Sequence, residues 1–268
     1  MEHVRGKTAF ITGGARGIGL GIARAFARAG LNLGLADIDE HSLALAKREL
    51  SSLTLVETFL LDVRDRTAYS RVADEMESRL GLISILCNNA GVGGEPHVSR
   101  LTFADWDWIM GVNLNGVMNG IQTFLPRMLE RGEEAHIVNT GSGAGLAATP
   151  SGLSYTTSKF AVIGLSEFLR PVLEPSRIGV SVLCPGPVST NLILNSRASQ
   201  PSQSWTPEET MTWETIAALQ AAGMNPDVVG EMVLAAIKTN QLYIHTDRIM
   251  AEMIAARTKA LLDAMPHE

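Results

Sequence analysis

Seven short apolar runs recur along this chain, and a stretch of helical periodicity stands between each one and the next. The runs are KTAFITGG, LNLGLADID, LTLVETFLLDV, ISILCNNAG, AHIVNTGS, GVSVLCPG and LYIHT. Between them lie IGLGIARAFARAG, EHSLALAKREL, RTAYSRVADEMESRL, helical patterns over 105–131 and 154–173, and NPDVVGEMVLAAIKT. A strand that is apolar throughout needs cover on both faces, and an intervening helix is the crossover that makes neighbouring strands parallel. The pattern predicts an α/β fold. It is a doubly wound, seven-stranded parallel sheet with helices on both faces, forming a single domain over 1–268. In such a sheet, ligands bind beyond the carboxyl ends of the strands, where strand order reverses. Residues 190–222 break the rhythm, and a long irregular segment of this kind predicts a substrate lid. Residues 248–268 read as a C-terminal helical extension.

Composition narrows the function classes. The chain has 268 residues, 46% of them hydrophobic, enough to bury one large core. The net charge is −6 and no Lys/Arg run occurs, which argues against nucleic-acid binding. No apolar run reaches the ~18 residues of a membrane span. The opening MEHVRGKTAF has no apolar core of a signal peptide, so a cytoplasmic protein is expected. Cys87 and Cys184 sit in apolar strand runs and read as buried free thiols. The six histidines are scattered and no C-x-x-C pair occurs, so no metal site is expected.

The first strand runs into a glycine-rich turn, TGGARGIG, that opens the first helix. Gly13, Gly17 and Gly19 allow a tight turn and close backbone approach, and Arg16 and Ile18 lie between them. A helix N-terminus there offers free N–H groups and a positive dipole end to a pyrophosphate, the Rossmann-like arrangement for a dinucleotide. Asp37 ends the second strand, where a carboxylate accepts hydrogen bonds from the adenosine ribose hydroxyls. A 2′-phosphate beside it would meet like-charge repulsion of roughly 4 kcal/mol at a surface-like dielectric. Asp37 therefore favours NAD over NADP, while Arg16 is a counter-signal that could pair with such a phosphate. Asp62 and Val63 end the third strand near the expected adenine position. Asn89 and Gly91, in NNAG, end the fourth, and small residues there let a ribose and nicotinamide approach.

Tyr155 and Lys159 stand four residues apart on one helical face, and Ser142 ends the strand thirteen residues before Tyr155. Taken alone, the pair could be a solvated face. Beside a nicotinamide the three types make chemical sense. Removing a hydride from a secondary alcohol also requires removing its hydroxyl proton. A phenol with a pKa near 10 is a poor base at neutral pH, and lowering it by about 3 units takes roughly 4 kcal/mol. A nearby ammonium and a positive nicotinamide favour the phenolate. A serine hydroxyl can hold the substrate oxygen.

The ordered set TGGARGIG, Asp37, Asp62–Val63, NNAG, Asn113 in VNLNG, Ser142, YTTSK and PGPVST resembles the short-chain dehydrogenase/reductase family, over nearly the whole chain to about residue 190. The resemblance implies Tyr155 as general acid/base and Lys159 as the group that lowers its pKa and bonds the nicotinamide ribose. It implies that Ser142 positions the substrate and that Asn113 holds a water relaying protons from Lys159. Pro185, Gly186, Val188 and Thr190 come from PGPVST, and Val188 and Thr190 would meet the carboxamide. The family often has two serines in a row, whereas TGSGAG supplies one, and the spacing to Tyr155 selects Ser142. A narrower resemblance, in DWDWIMGVNLNGVMNGIQTFLPRM and the extra C-terminal helix, is to bacterial Cα-dehydrogenases of benzylic alcohols.

The substrate pocket is expected from residues 92–97, the stretch after Ser142 and the lid, which carries Leu192, Leu194, Trp205, Met211 and Trp213. His97 could touch a substrate or be a surface residue, and the lid's apolar residues could cover a substrate or pack on the domain. The leading expectation is an NAD-dependent oxidoreductase interconverting a bulky, possibly aromatic, secondary alcohol and its ketone. Alternatives are a hydroxysteroid or cyclic-alcohol dehydrogenase, an NADPH-dependent ketone reductase, and a non-catalytic dinucleotide sensor or scaffold. The full set Asn113, Ser142, Tyr155 and Lys159 weighs against the last. Apolar residues on more than one side of the helices at 105–131 and 154–173 need a partner, and the family resemblance implies a homodimer or homotetramer.

Overall fold

Every residue of β1 (Thr8–Thr12), β4 (Ile83–Asn88), β5 (Ala135–Thr140) and β6 (Ile178–Cys184) is buried, as sequences without a polar face require. The computed structural model describes residues 1–202 and 205–266. In it β2 (Asn32–Asp37), β3 (Val56–Leu60) and β7 (Tyr243–His245) complete one parallel sheet in the order β3-β2-β1-β4-β5-β6-β7. The chain builds outward from β1 to β3, then returns to lay β4 on the other side of β1. Register pairs Ile11 with Leu35 and with Cys87, so the carboxyl ends of β2, β1 and β4 finish side by side. Edge strand β3 departs from the all-apolar expectation: only Val56 and Phe59 of its five residues are buried.

Side chains alternate across the sheet. Ala9 and Ile11 of β1 join Ile22 and Phe26 of α1 (Gly17–Arg28), Leu43 of α2 (Glu40–Leu50) and Val233 of α9 (Pro226–Thr239) in one core layer. Phe10 points the other way, into a layer with Tyr69 and Met76 of α3 (Arg66–Leu80) and Phe124 of α5 (Gly116–Arg131). Helices α1 and α9 touch through their main chains. A Cβ on Gly21 would stand 2.1 Å from the Pro226 carbonyl oxygen, and one on Gly230 would stand 2.1 Å from that of Gly21.

The helical pattern over 105–131 is two helices. α4 (Phe103–Met110) starts at a capping box formed by Thr102 and Asp105. A π turn over Gly111–Asn115 follows, with Gly116 N–H bonded to the Gly111 carbonyl, before α5 begins. The sequence pattern reads as one continuous helix and does not register this turn. The helix expected at 154–173 is α6 (Leu153–Leu173). The expected lid holds α7 (Leu192–Ser199) and α8 (Pro207–Ala221), the latter opened by a Thr206–Glu209 capping box. The C-terminal extension contains α10 (Ala251–Asp263), none of whose residues is buried. Residues 203–204 of the expected lid and 267–268 of the extension lie outside the described residues. Cys87 and Cys184 are buried free thiols. Among the described residues, no helix is long and apolar enough to cross a membrane.

Candidate active site

A cleft of about 680 Å³ opens at the carboxyl ends of β1, β2 and β4, where strand order reverses. Its floor on one side is the glycine turn. Gly13, at φ +62°, leaves no room for a side chain, since a Cβ there would stand 2.9 Å from Ala90 Cα. A Cβ on Gly19 would stand 2.1 Å from the Gly13 carbonyl oxygen, so the first turn of α1 packs directly onto the glycine turn while Gly17, Ile18 and Leu20 line the cleft. The N-cap residue of α1, Arg16, makes no side-chain cap bond, and no acidic residue sits in the first turn. The positive end of the helix dipole therefore meets the cleft beside Gly13, Gly17 and Ile18.

The next stretch of wall carries charge. Asp37 accepts from Ala15 N–H at 3.3 Å and from Asp39 N–H at 3.2 Å, which fixes its carboxylate at the rim. Arg16 lines the cleft but is paired with Asp39 at 3.2 Å. Asp62 lies on the lining and is bound by Arg64 at 2.6 Å, whose hydrogen bonds hold its carboxyl below the usual carboxylate range. Val63 follows it on the lining. Asn89 straps β4 to β1, donating to the carbonyls of Thr12 at 3.1 Å and Gly13 at 3.3 Å, and Gly91 continues the wall.

Opposite stand Tyr155 and Lys159, both facing the cleft from α6. Lys159 is buried, donates to the Thr140 carbonyl at 2.9 Å, and lies 5.6 Å from the centroid of the Tyr155 ring. Burial pushes its ammonium down to about 8. Burial also pushes the Tyr155 phenol above its ordinary value, and a hydrogen bond with Ser142 pulls the other way. Ser142 is off the cleft lining, and its Oγ also accepts from Ala144 N–H at 3.1 Å. Asn113 is buried in the π turn, not on the lining. Its amide accepts from Val92 N–H at 2.8 Å and donates to the Val92 carbonyl and Ser158 Oγ.

Of the PGPVST residues, Pro185, Ser189 and Thr190 line the cleft. Gly186 is turned toward the end of β7, its N–H donating to Thr246 Oγ1 at 2.9 Å. Val188 is buried in the core layer and bridged to Met224, so Ser189 takes its place on the wall. The lid contributes Leu192, Asn195 and Ser196, and Ser196 Oγ accepts from Gly93 N–H at 3.1 Å. Leu194 and Met211 are exposed, whereas Trp213 is buried against Trp205 at 6.1 Å between ring centroids. His97 is exposed, off the lining, and hydrogen-bonds Ser99. Sequence reasoning passed over Ser189, Asn195 and Ser196. It also passed over Glu95, a buried carboxylate within the segment expected to form the pocket.

With this geometry in place, comparison with known proteins is decisive. The short chain dehydrogenase family profile matches residues 7–201. The chain belongs to the short-chain dehydrogenases. A C alpha-dehydrogenase of Sphingobium sp. is 36% identical over 99% of this chain and 88% of its own. A 3beta-hydroxysteroid dehydrogenase 2 of Eggerthella lenta is 36% identical over 74% and 76%. A short-chain dehydrogenase/reductase of Burkholderia phymatum, solved in complex with NAD, superposes with a TM-score of 0.93 at 32% identity, over 100% of this chain and 99% of that one. This short-chain dehydrogenase is thus an oxidoreductase acting on CH–OH groups, and its cofactor is a nicotinamide dinucleotide. The cradle at Gly13, the uncapped start of α1 and the charged rim fit that group.

Proposed function

We propose that this short-chain dehydrogenase uses NAD to oxidise a bulky, aryl-bearing secondary alcohol to its ketone, and runs the reverse reaction when the ketone is in excess. The observation that carries the reading is that Tyr155 and Lys159 stand together on the wall of a cleft that Asp37 also lines, with Ser142 hydrogen-bonded to Tyr155. Gly13, Gly17 and the start of α1 would hold the pyrophosphate, and Asp37 the adenosine ribose. With Arg16 committed to Asp39, the cation that could welcome a 2′-phosphate already has a partner, which supports NAD over NADP.

A bound nicotinamide supplies the hydride acceptor. Tyr155 Oη takes the alcohol proton, with Ser142 Oγ bonded to the same substrate oxygen. In the protein alone burial keeps Tyr155 protonated, so its depression needs positive charge nearby. Lys159, with a pKa of about 8, is mostly charged at pH 7 and is one source of that charge. Thr140 holds its ammonium in place through the 2.9 Å bond. Asn113, locked by three hydrogen bonds, gives the π turn a fixed main chain from which a water could pass protons to Lys159.

The aryl preference is supported by the C alpha-dehydrogenase likeness. The hydroxysteroid reading rests on the Eggerthella relative. Residues 190–222 act as the lid, since α7 lines the cleft. Association into dimers or tetramers is supported by exposed Phe168 and Val172 on α6 and Leu129 on α5. The two buried thiols fit a reducing cytoplasm.

The test is turnover of 1-phenylethanol and of a hydroxysteroid with NAD and NADP, alongside Tyr155→Phe. Aryl alcohol turnover with NAD, reduced at least about 100-fold by the substitution, is expected. Turnover of the steroid alone would transfer the assignment to the second reading. Full turnover by Tyr155→Phe would overturn the mechanism. Light scattering that finds a monomer at micromolar concentration would refute association.

A further inference from the structure

Helix α6 carries both Tyr155 and Lys159, yet its start has no cap of its own. Gly152, at φ +103°, occupies the N-cap position and offers no side chain. The free N–H groups are met from a distant segment. Ser154 N–H donates to Glu95 Oε1 at 2.8 Å and Oε2 at 3.1 Å, and Tyr155 N–H also bonds this carboxylate. Glu95 is 2% exposed. A buried carboxylate is costly unless charge or hydrogen bonds compensate it. Burial still holds the Glu95 carboxyl above its usual range, and the hydrogen bonds and positive dipole end of the first turn of α6 offset part of that cost. The fit depends on glycine, because a Cβ on residue 152 would stand 2.2 Å from Glu95 Oε1.

The other end of the same residue holds the lid. The Glu95 carbonyl accepts from Trp213 Nε1 at 3.1 Å, and Trp213 is the buried anchor of α8. Two further buried carboxylates fasten the lid nearby. Asp105 accepts from Ser202 Oγ at 2.5 Å, and Glu209 accepts from His97 N–H at 2.9 Å. Residue 95 therefore stands between the segment that covers the cleft and the first turn of the helix that does the chemistry.

We infer that Glu95 is a positioning residue that couples the seating of the lid to the placement of Tyr155, its carboxylate capping α6 while its carbonyl holds Trp213. The inference rests on the reading of Tyr155 as acid/base. Seating of α8 fixes the backbone at 95. That backbone aims the carboxylate, and the carboxylate fixes the turn from which Tyr155 projects. A tyrosine displaced by ~1 Å loses on the order of 100-fold in rate.

Three variants test this: Glu95→Gln, Gly152→Ala and Trp213→Phe. Each is assayed for kcat and KM on 1-phenylethanol, NADH affinity, thermal midpoint and amide hydrogen exchange. Glu95→Gln and Gly152→Ala should lower kcat by about 10- to 100-fold, with NADH affinity held within about twofold. Exchange at Ser154 and Tyr155 should quicken about tenfold in both, and measurably in Trp213→Phe, while the first turn of α9 is unmoved. Unchanged kcat and unchanged exchange in Glu95→Gln would overturn the proposal. So would a parallel fall in kcat, NADH affinity and thermal midpoint, which marks a general support of the fold. Exchange at Ser154 unaffected by Trp213→Phe would overturn the coupling. If the wild type turns over no secondary alcohol, the proposed function fails, and the exchange measurements still decide whether lid and helix are coupled through Glu95.

Discussion

Replacing Lys159 by methionine tests the electrostatics of the site without any substrate. The Lys159 ammonium is 4% exposed, and burial pushes its pKa from 10.5 down to about 8. At about 1.4 kcal/mol per pH unit, that gap is a cost of roughly 3 kcal/mol for keeping the charged form in the native state. Below pH 8 the native and unfolded chains both carry the proton, and the full cost is present. Between pH 8 and 10.5 the native protein releases the proton while the unfolded chain keeps it, so stability rises with pH. Above 10.5 both are neutral and the cost is gone. Cys184, pushed up to about 12 by burial, and Tyr155, pushed above its ordinary value, stay neutral through most of this window. Methionine removes the charge but leaves the Thr140 carbonyl without its 2.9 Å donor, a loss of about 1–3 kcal/mol. At pH 7 the two effects nearly cancel. The assay is denaturant unfolding of wild type and Lys159→Met, cofactor-free, at intervals from pH 7 to 10.5. Wild type should gain roughly 3 kcal/mol relative to the variant across that range. A difference constant to within about 0.5 kcal/mol would refute a buried, strained ammonium at this position.

Three other outcomes are expected. Asp37→Ser should raise the ratio of NADP to NAD efficiency at least about tenfold in steady-state kinetics, since it removes the repulsion at the ribose position. Gly13→Ala forces a side chain into φ +62° and onto Ala90, so it should cost about 1–3 kcal/mol in unfolding experiments and abolish NADH fluorescence enhancement. Cys87, fully buried with its thiol pushed far above the ordinary range, and Cys184 should ignore a thiol reagent in the native protein and react as it unfolds.

Much of this architecture is written locally in the chain. The apolar runs place all seven strands, and α2 and α3 begin and end where the helical patterns EHSLALAKREL and RTAYSRVADEMESRL do. Their starts are set by neighbours in sequence: Asp39 caps α2 and Asp65 caps α3. The α6 start is different in kind. Its cap, Glu95, comes from 59 positions away, and no local pattern announces it. The available signal was negative, a glycine where a helix wants a hydrogen-bonding side chain. Arg16 likewise read as a free cation near the adenosine end, because its pairing with Asp39 depends on how the β2–α2 turn folds back. The π turn escaped because the one-residue offset it puts into the helical period is a weak signal over so short a stretch. Val188 was assigned by its place in PGPVST, and its side chain's burial in the core layer depends on packing that no local pattern announces.

The contact between α1 and α9 sets an order of events during synthesis. Gly21 and Gly230 meet main chain to main chain although most of the protein lies between them in sequence. Contacts of such long separation form late, after the intervening loop has been closed. The N-terminal glycine turn emerges from the ribosome early, but the helix behind it has no backstop until α9 has been made. A nascent chain ending before residue 226 would carry every residue proposed above to hold the dinucleotide and still lack the helix that packs on α1. The packing that backs the glycine turn is therefore completed only in the last stage of translation.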